Sequence, residues 1–516
     1  MIPTSTFALL CAAILPVATT KPNIVLIFAD DIGYGDLGCY GATKIKTPRL
    51  DRLAAEGRKF TDAHSASAVC SPSRYGLLTG SYPLRKNFWG PTPTWSQKLT
   101  IDPDTLTLPS LLKQSGYATA CIGKWHLGLG DPKPVWNGDL KPGPLELGFD
   151  HFFGNPGVNS SPPFVYVEDH RVVGHDPQDP LVRGKPSPFI RKFPEKGLGN
   201  IGGAAEAHRR YDDEQVGTTL REKSIAWLKQ QKPGKPFFLY LATTHIHHPF
   251  TPSQQFVGTS DCGPYGDFVQ ELDWMVGGVL DTLTEMGVSD NTLVIFTSDN
   301  GGMLNQGGQK AWQAGHRLNG DLQGFKFGAW EGGHRVPFLA KWPGKIPPGT
   351  TSDQLLNLVD LLATFAAIND RKLAEGEGID SVNQLASLTG NPAQPVRESM
   401  VITPNSPKHL GLRKGKWVYL PAQGAGGFQG QKPGEHLFSD AAALPFTKAT
   451  HSDYRNGRLL PTAPPAQLYD LKADPKQQRN IFADHPEIVA QLEAELAPYR
   501  TAIPETKPIG WINLKQ

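Results

Sequence analysis

The sequence predicts an α/β protein: a large, mainly parallel sheet sandwiched by helices, with a smaller C-terminal α+β domain carrying a short antiparallel sheet. Three observations lead there. Asn23–Ala29 (NIVLIFA), Pro236–Ala242 (PFFLYLA) and Asn291–Thr297 (NTLVIFT) are continuous apolar runs, the pattern of strands buried on both faces. Helical segments alternate with strands from residue 23 to residue 368, the signature of a parallel sheet covered on both sides. From about Gly390 the texture changes: Pro and Gly become frequent and the apolar runs shorten.

The first run stops at Asp30-Asp31 and opens into a glycine-rich loop, Gly33 to Gly41. Thr47–Phe60 reads as a helix, with Thr47 as N-cap and Pro48 at the first helical position. Leu106–Ser115 is a second helix and Tyr117–Gly123 a strand. Arg209–Gln231 reads as one long amphipathic helix, closed by Pro233-Gly234. Tyr265–Met286 is helical, and Arg335–Trp342 and Val359–Ile368 add a strand and a helix. Beyond these, Trp417–Leu420 and Gln467–Leu471 are short strands and Glu487–Tyr499 a terminal helix. The chain therefore divides into 1–20, 21–396 and 397–516.

Charge is nearly balanced, 51 Lys+Arg against 49 Asp+Glu, so no global attraction to nucleic acid is expected. Five cysteines in 516 residues do not make a disulfide scaffold. The apolar segment Phe7–Val17 is too short to span a bilayer, which takes about 20 residues. Followed by Ala18, Thr19 and Thr20, it suits the apolar region of a signal peptide. No other long apolar run follows, so the expectation is an exported protein, periplasmic or secreted, without a transmembrane segment.

In parallel sheets chemistry gathers beyond the carboxyl ends of strands. Asp30-Asp31 follows one buried strand and Ser298-Asp299-Asn300-Gly301-Gly302 another. Adjacent carboxylates repel by about 4 kcal/mol at ~4 Å and an effective dielectric constant of ~20, a cost that a cation removes. Asp30, Asp31, Asp299 and Asn300 offer only oxygen donors, which suits Ca²⁺, or Mg²⁺, rather than Zn²⁺.

A third cluster is more specific. Cys70-Ser71-Pro72-Ser73-Arg74, continued by Tyr75-Gly76-Leu77-Leu78-Thr79-Gly80, resembles the signature of type I sulfatases in the alkaline-phosphatase-like superfamily. Gly123-Lys124-Trp125-His126 resembles the family's G-K-W-H element, and His247-His248-Pro249 its H-x-P element, with His245 and His248 as alternatives. Lys326 followed by Glu331-Gly332-Gly333-His334-Arg335-Val336-Pro337 is similar to its K-x-x-x-x-E-G-G-x-R-V-P element. The likeness extends to arylsulfatase and N-acetylgalactosamine-6-sulfatase-like members.

The resemblance implies that Cys70 is converted to formylglycine (3-oxoalanine) by a formylglycine-generating or other sulfatase-maturing enzyme. It implies that the aldehyde hydrate at position 70 shares the cation with the four oxygen donors and attacks sulfur. Arg74 and Lys124 would stabilise the hydrate oxygens. His126 would take a proton during sulfate release, His247 would protonate the leaving oxygen, and Lys326 would hold a sulfate oxygen.

The substrate expected is sulfated carbohydrate, polysaccharide or glycosaminoglycan-like. Phe88–Trp95, Asp131–Val158 and Met303–Gly324 are the expected pocket segments, with His316, Arg317 and Trp89 as substrate-binding residues. Where the family often has P-L-R-G, this chain has Asp321-Leu322-Gln323-Gly324, so a hexosamine 6-sulfate preference is not carried over. Two other readings share these residues: a phosphate or phosphonate ester hydrolase of the same superfamily, and an inactive carbohydrate-binding homologue.

Overall fold

The computed structural model describes residues 21–189, 200–428 and 431–512; the expected signal segment, 1–20, lies outside the described residues. Asn23–Ala29 lies at the middle of a ten-stranded sheet, parallel to Phe237–Ala242 on one side and to Thr292–Ser298 on the other. Ala118–Gly123 and then His151–Gly154 extend the parallel part. Beyond Thr292–Ser298 the sheet turns mixed, with Phe338–Lys341 antiparallel to it and Arg58–Phe60 antiparallel in turn.

The central strand shows why its sequence does not alternate. Ile24, Leu26 and Phe28 enter one core and Val25, Ile27 and Ala29 another, and all six are fully buried. The first core is closed by Leu77 and Leu78 of the Cys70–Thr79 helix with Leu108–Gln114 and Leu361–Ile368. The second is closed by Pro48–Ala55, Val216–Lys229 and Pro264–Glu285.

Two predicted helices differ. The Thr47–Phe60 segment is helical only over Pro48–Ala55, and Arg58–Phe60 is an edge strand. At Gly57 the chain passes so close to that sheet that a Cβ would sit 2.3 Å from Ala340 O. The Arg209–Gln231 segment is two helices, Ala205–Arg210 and Val216–Lys229. Between them Tyr211 is extended and the Asp212 carboxylate accepts from Glu214 N–H, capping a fresh start. No helix among the described residues is long and apolar enough to cross a membrane.

The C-terminal part contributes a four-stranded antiparallel sheet, ordered Ser399–Ile402, Gly411–Lys414, Trp417–Leu420, Gln467–Asp470, which the Pro486–Thr501 helix covers. Arg413 from this sheet forks onto Asp62, two residues beyond the edge strand Arg58–Phe60 of the large one, Nη1–Oδ1 2.6 Å and Nη2–Oδ2 2.7 Å. Burial by itself would raise the Asp62 carboxyl, but Arg413 and Arg335 outweigh it and hold it well below its ordinary value.

A carboxyl depressed in the fold stabilises it above the unfolded carboxyl pKa, and that contribution fades as pH falls through the folded value. Arg413→Ala leaves Asp62 buried without its fork, so it is expected to cost about 3–5 kcal/mol at pH 7. Urea unfolding should show that loss, and the gap from wild type should narrow below about pH 4. A gap independent of pH would disprove the Asp62 assignment.

Candidate active site

The parallel strands deliver their carboxyl ends to one edge, and four of them end on polar residues: Asp30-Asp31, Lys124–His126, Thr243–Pro249 and Asp299-Asn300. Cys70 begins the Cys70–Thr79 helix, at its electropositive end. Arg74, one turn later, lies on the same side of that helix. The loops that carry these groups hold rare backbone conformations, with φ of 62° at Asp31, 56° at His126 and 81° at Phe327. Gly123, at φ 117°, brings Lys124 in against the next strand; a Cβ there would lie 1.8 Å from Ala242 O.

Beneath Cys70 lies a fully buried set of charges. Arg74 reaches Asp299 Oδ2 through Nη2 at 2.7 Å and Nε at 3.1 Å. Lys124 Nζ donates to Asp30 Oδ2 at 2.7 Å, and Lys326 Nζ to Asp31 Oδ1. Asn300 Nδ2 also donates to Asp31 Oδ1, at 2.8 Å. Three carboxylates thus face three cations, and all six side chains are at most 3 % exposed.

This pairing uses only one side of the cluster. Asp30 Oδ1, Asp31 Oδ2 and Asn300 Oδ1 are buried and have no hydrogen-bond partner. Carboxylate oxygens of Asp30, Asp31 and Asp299 converge within 4.8 Å of one another. Burial, and then the charge of Asp30, keep the Asp299 carboxyl above its ordinary value even against Arg74. Oxygen atoms stripped of water and left without donors are what a hard cation requires, so these residues fit one.

Two histidines face the site with opposite tautomers. His126 Nε2 lies 3.1 Å from Thr92 O, a carbonyl that only accepts, so the proton sits on Nε2 and the Nδ1 lone pair faces Cys70 Sγ at 3.5 Å. His247 Nδ1 lies 2.7 Å from His248 O and 3.2 Å from Asn159 Oδ1, so its proton sits on Nδ1 and its lone pair on Nε2. Burial, then Lys124 and Arg74, hold His126 neutral at pH 7; burial and His248 do the same for His247. Burial raises the Cys70 thiol, opposed by Lys124 and Lys326.

Cys70, His126, His247 and Lys326 line one cleft of about 780 Å³, bounded also by Pro91–Gln97, His248, His436 and Lys507–Trp511. A family model described as Sulfatase matches residues 22–369, the span that holds every one of the clustered residues. The chain belongs to the sulfatase family.

Its relatives agree over most of its length. An N-acetylgalactosamine-6-O-sulfatase of Bacteroides thetaiotaomicron is 37 % identical over 509 residues, 93 % of either chain. Human arylsulfatase A is 33 % identical over 471 residues, 89 % of this chain and 83 % of its own. A solved structure from work on metabolism of multiple glycosaminoglycans by Bacteroides thetaiotaomicron superposes with TM-score 0.82 at 34 % identity, covering 94 % of this chain and all of the other. The protein is therefore an enzyme that hydrolyses sulfate esters.

The sulfatase's expected pocket residues lie elsewhere. Trp89 is fully buried, its Nε1 donating to Asn87 Oδ1 at 2.6 Å. His316 is buried against Asp36, Nε2–Oδ1 2.7 Å, where Asp36 also anchors Gly33 N–H and Tyr265 OH. Arg317 lies over the Trp312 ring, 4.2 Å from its centroid. None of the three lines the cleft. Of the expected segments, 88–95 supplies Pro91–Trp95, while 131–158 and 303–324 supply only Val158 and Met303. The residues that were not anticipated, His436, Lys507 and Trp511, come from the C-terminal part.

If the orphan oxygens serve a cation, millimolar Ca²⁺ or Mg²⁺ should raise the melting temperature of the intact protein above that in chelator. A ligand at 100 times its Kd adds about 2.7 kcal/mol. Asp31→Asn should abolish the difference. Identical melting of wild type in metal and in chelator would refute it.

Proposed function

We propose that this sulfatase hydrolyses sulfate monoesters on sulfated carbohydrate, using a formylglycine made from Cys70 and a Ca²⁺ or Mg²⁺ ion held by Asp30, Asp31, Asp299 and Asn300. The observation that carries the reading is Cys70 Sγ, 3.5 Å from a histidine nitrogen that offers only a lone pair, beside a buried acid cluster with three unpartnered oxygens. The relative named for N-acetylgalactosamine-6-O-sulfate hydrolysis supports a carbohydrate ester. Export through residues 1–20 and conversion of Cys70 by a maturing enzyme complete the reading.

The cation would acidify a hydroxyl bound to it and screen a sulfate oxygen. The aldehyde's hydrate would supply two hydroxyls on one carbon, so that one takes the sulfuryl group and loss of the other's proton expels it. The chain's own residues do the rest. Arg74 and Lys124, fixed by Asp299 and Asp30, hold positive charge against position 70. His126, with its free Nδ1, accepts the proton released when sulfate departs. Lys326 presents an ammonium to a sulfate oxygen at the cleft floor. Burial and His248 hold His247 neutral; the negative charge of a bound sulfate ester favours its imidazolium, whose Nε2–H then protonates the leaving oxygen.

Cys70→Ala is expected to abolish sulfate release, and Lys326→Ala to slow it by about 10²–10³. Intact-mass analysis of the native-host protein should find the Cys70 peptide lighter by about 18 Da. Matched aryl sulfate and aryl phosphate esters should differ in favour of sulfate. Near-full activity in Cys70→Ala, or an unmodified thiol in active enzyme, would overturn the reading.

A further inference from the structure

The buried floor of the cleft accounts for a sulfate and little more. Cys70, His126, Lys326 and His247 are between 1 % and 6 % exposed. The same cleft opens toward Trp511, Lys507 and Arg183, all exposed. Its volume of about 780 Å³ lies high in the ~300–1,000 Å³ range of small-molecule sites, room for more than one sugar ring.

Trp511 is 55 % exposed, the one aromatic among the large apolar side chains left exposed in the described residues. Such a ring on a free surface has nothing to hold it. Here it is held from both ends. Trp511 N–H donates to Pro91 O at 3.1 Å, and Asn405 Nδ2 donates to Trp511 O at 3.0 Å. Gly90 lets the two segments touch, since a Cβ there would lie 1.8 Å from Trp511 O. The indole stacks on Phe428, centroids 4.9 Å apart at 28°. Phe428 in turn meets Phe327 edge-on at 4.8 Å, and Phe327 follows Lys326 in the chain. A continuous aromatic row thus runs from the sulfate end of the cleft to its rim. Lys507, four residues before Trp511, and Arg183 form no ion pair among the described residues.

We propose that Lys507–Trp511 builds a second subsite, which takes the sugar ring next to the sulfated one. Trp511 is its stacking platform, and Lys507 and Arg183 meet an anionic group, carboxylate or second sulfate, on that ring. The inference rests on the carbohydrate reading above and extends it: the preferred substrate is an oligosaccharide with charge on both rings. A ring already fixed by its backbone and by Phe428 loses little freedom on stacking, so it favours binding more than a mobile one.

The test is calorimetric binding to the full-length Cys70→Ala protein, which does not turn over. The probes are N-acetylgalactosamine 6-sulfate alone, and the same residue linked to a neutral hexose, to glucuronate or to a sulfated hexose. The neutral disaccharide is expected to bind about tenfold more tightly than the monosaccharide, and Trp511→Ala to bring that ratio to about one. The glucuronate and sulfated-hexose arms should bind more tightly still, with a salt dependence that Lys507→Gln and Arg183→Gln each reduce. Whichever anionic arm gains more identifies the group. A disaccharide-to-monosaccharide ratio unchanged by Trp511→Ala overturns the subsite. Sulfate release from an aryl sulfate by the Cys70 enzyme is measured in parallel; its absence counts against the catalytic reading, while the binding ratios still decide the subsite.

Discussion

Everything at the cleft depends on one electrostatic constraint: three carboxylates and three cations are buried together, out of reach of water. Each acid is tied to its own base, Asp30 to Lys124, Asp31 to Lys326 and Asp299 to Arg74. Their formal charges cancel, which is what allows the set to be buried at all. The balance leaves the outward oxygens of Asp30, Asp31 and Asn300 unsatisfied, and that residue of electron density is what remains for a cation. A divalent ion would tip the site positive, and an anionic ester is the natural partner of a positive pocket.

The fold supplies this arrangement cheaply. Parallel strands all end on the same edge, so groups from residues 30, 124, 247 and 299 meet without any long detour. Only Cys70 and Arg74 arrive on a helix, and the turn between them sets their spacing. The unusual backbone angles at Asp31 and His126 fall where strands give way to the cleft, positions a rigid sheet is able to hold in strain, while that at Phe327 falls in the loop that carries Lys326.

Much of this was legible in the residues. NIVLIFA reads as a doubly buried strand because both of its faces are core. The C-S-P-S-R string identifies a family outright, since no general packing demand produces it. The failures have a common physical source. A polar side chain in a loop looks the same whether it faces a ligand or another loop. His316 was expected in the pocket, yet it answers a carboxylate at Asp36, hundreds of residues earlier. Trp89 fills a core. The periodicity of Thr47–Phe60 hides a strand because the partner that recruits Arg58–Phe60 lies near residue 340. No local pattern announced that residues 507–511 would return to the cleft.

That return has a consequence for the energetics of the wall. The segment from 507 onward is bound to residues 87–91 by a handful of backbone hydrogen bonds, among them Ile509 N–H to Asn87 O and Trp89 N–H to Ile509 O. It belongs to neither the ten-stranded nor the four-stranded sheet, and it pairs with the 87–91 segment through an isolated bridge, Phe88 with Ile509. Ile509 packs against the first core, Ile512 against the core under the C-terminal sheet and Trp511 on Phe428, so peeling the segment away would expose apolar surface as well as break those bonds. One wall of the cleft is therefore a splice between residues 87–91 and 509–511, and whatever settles there meets a surface already in place.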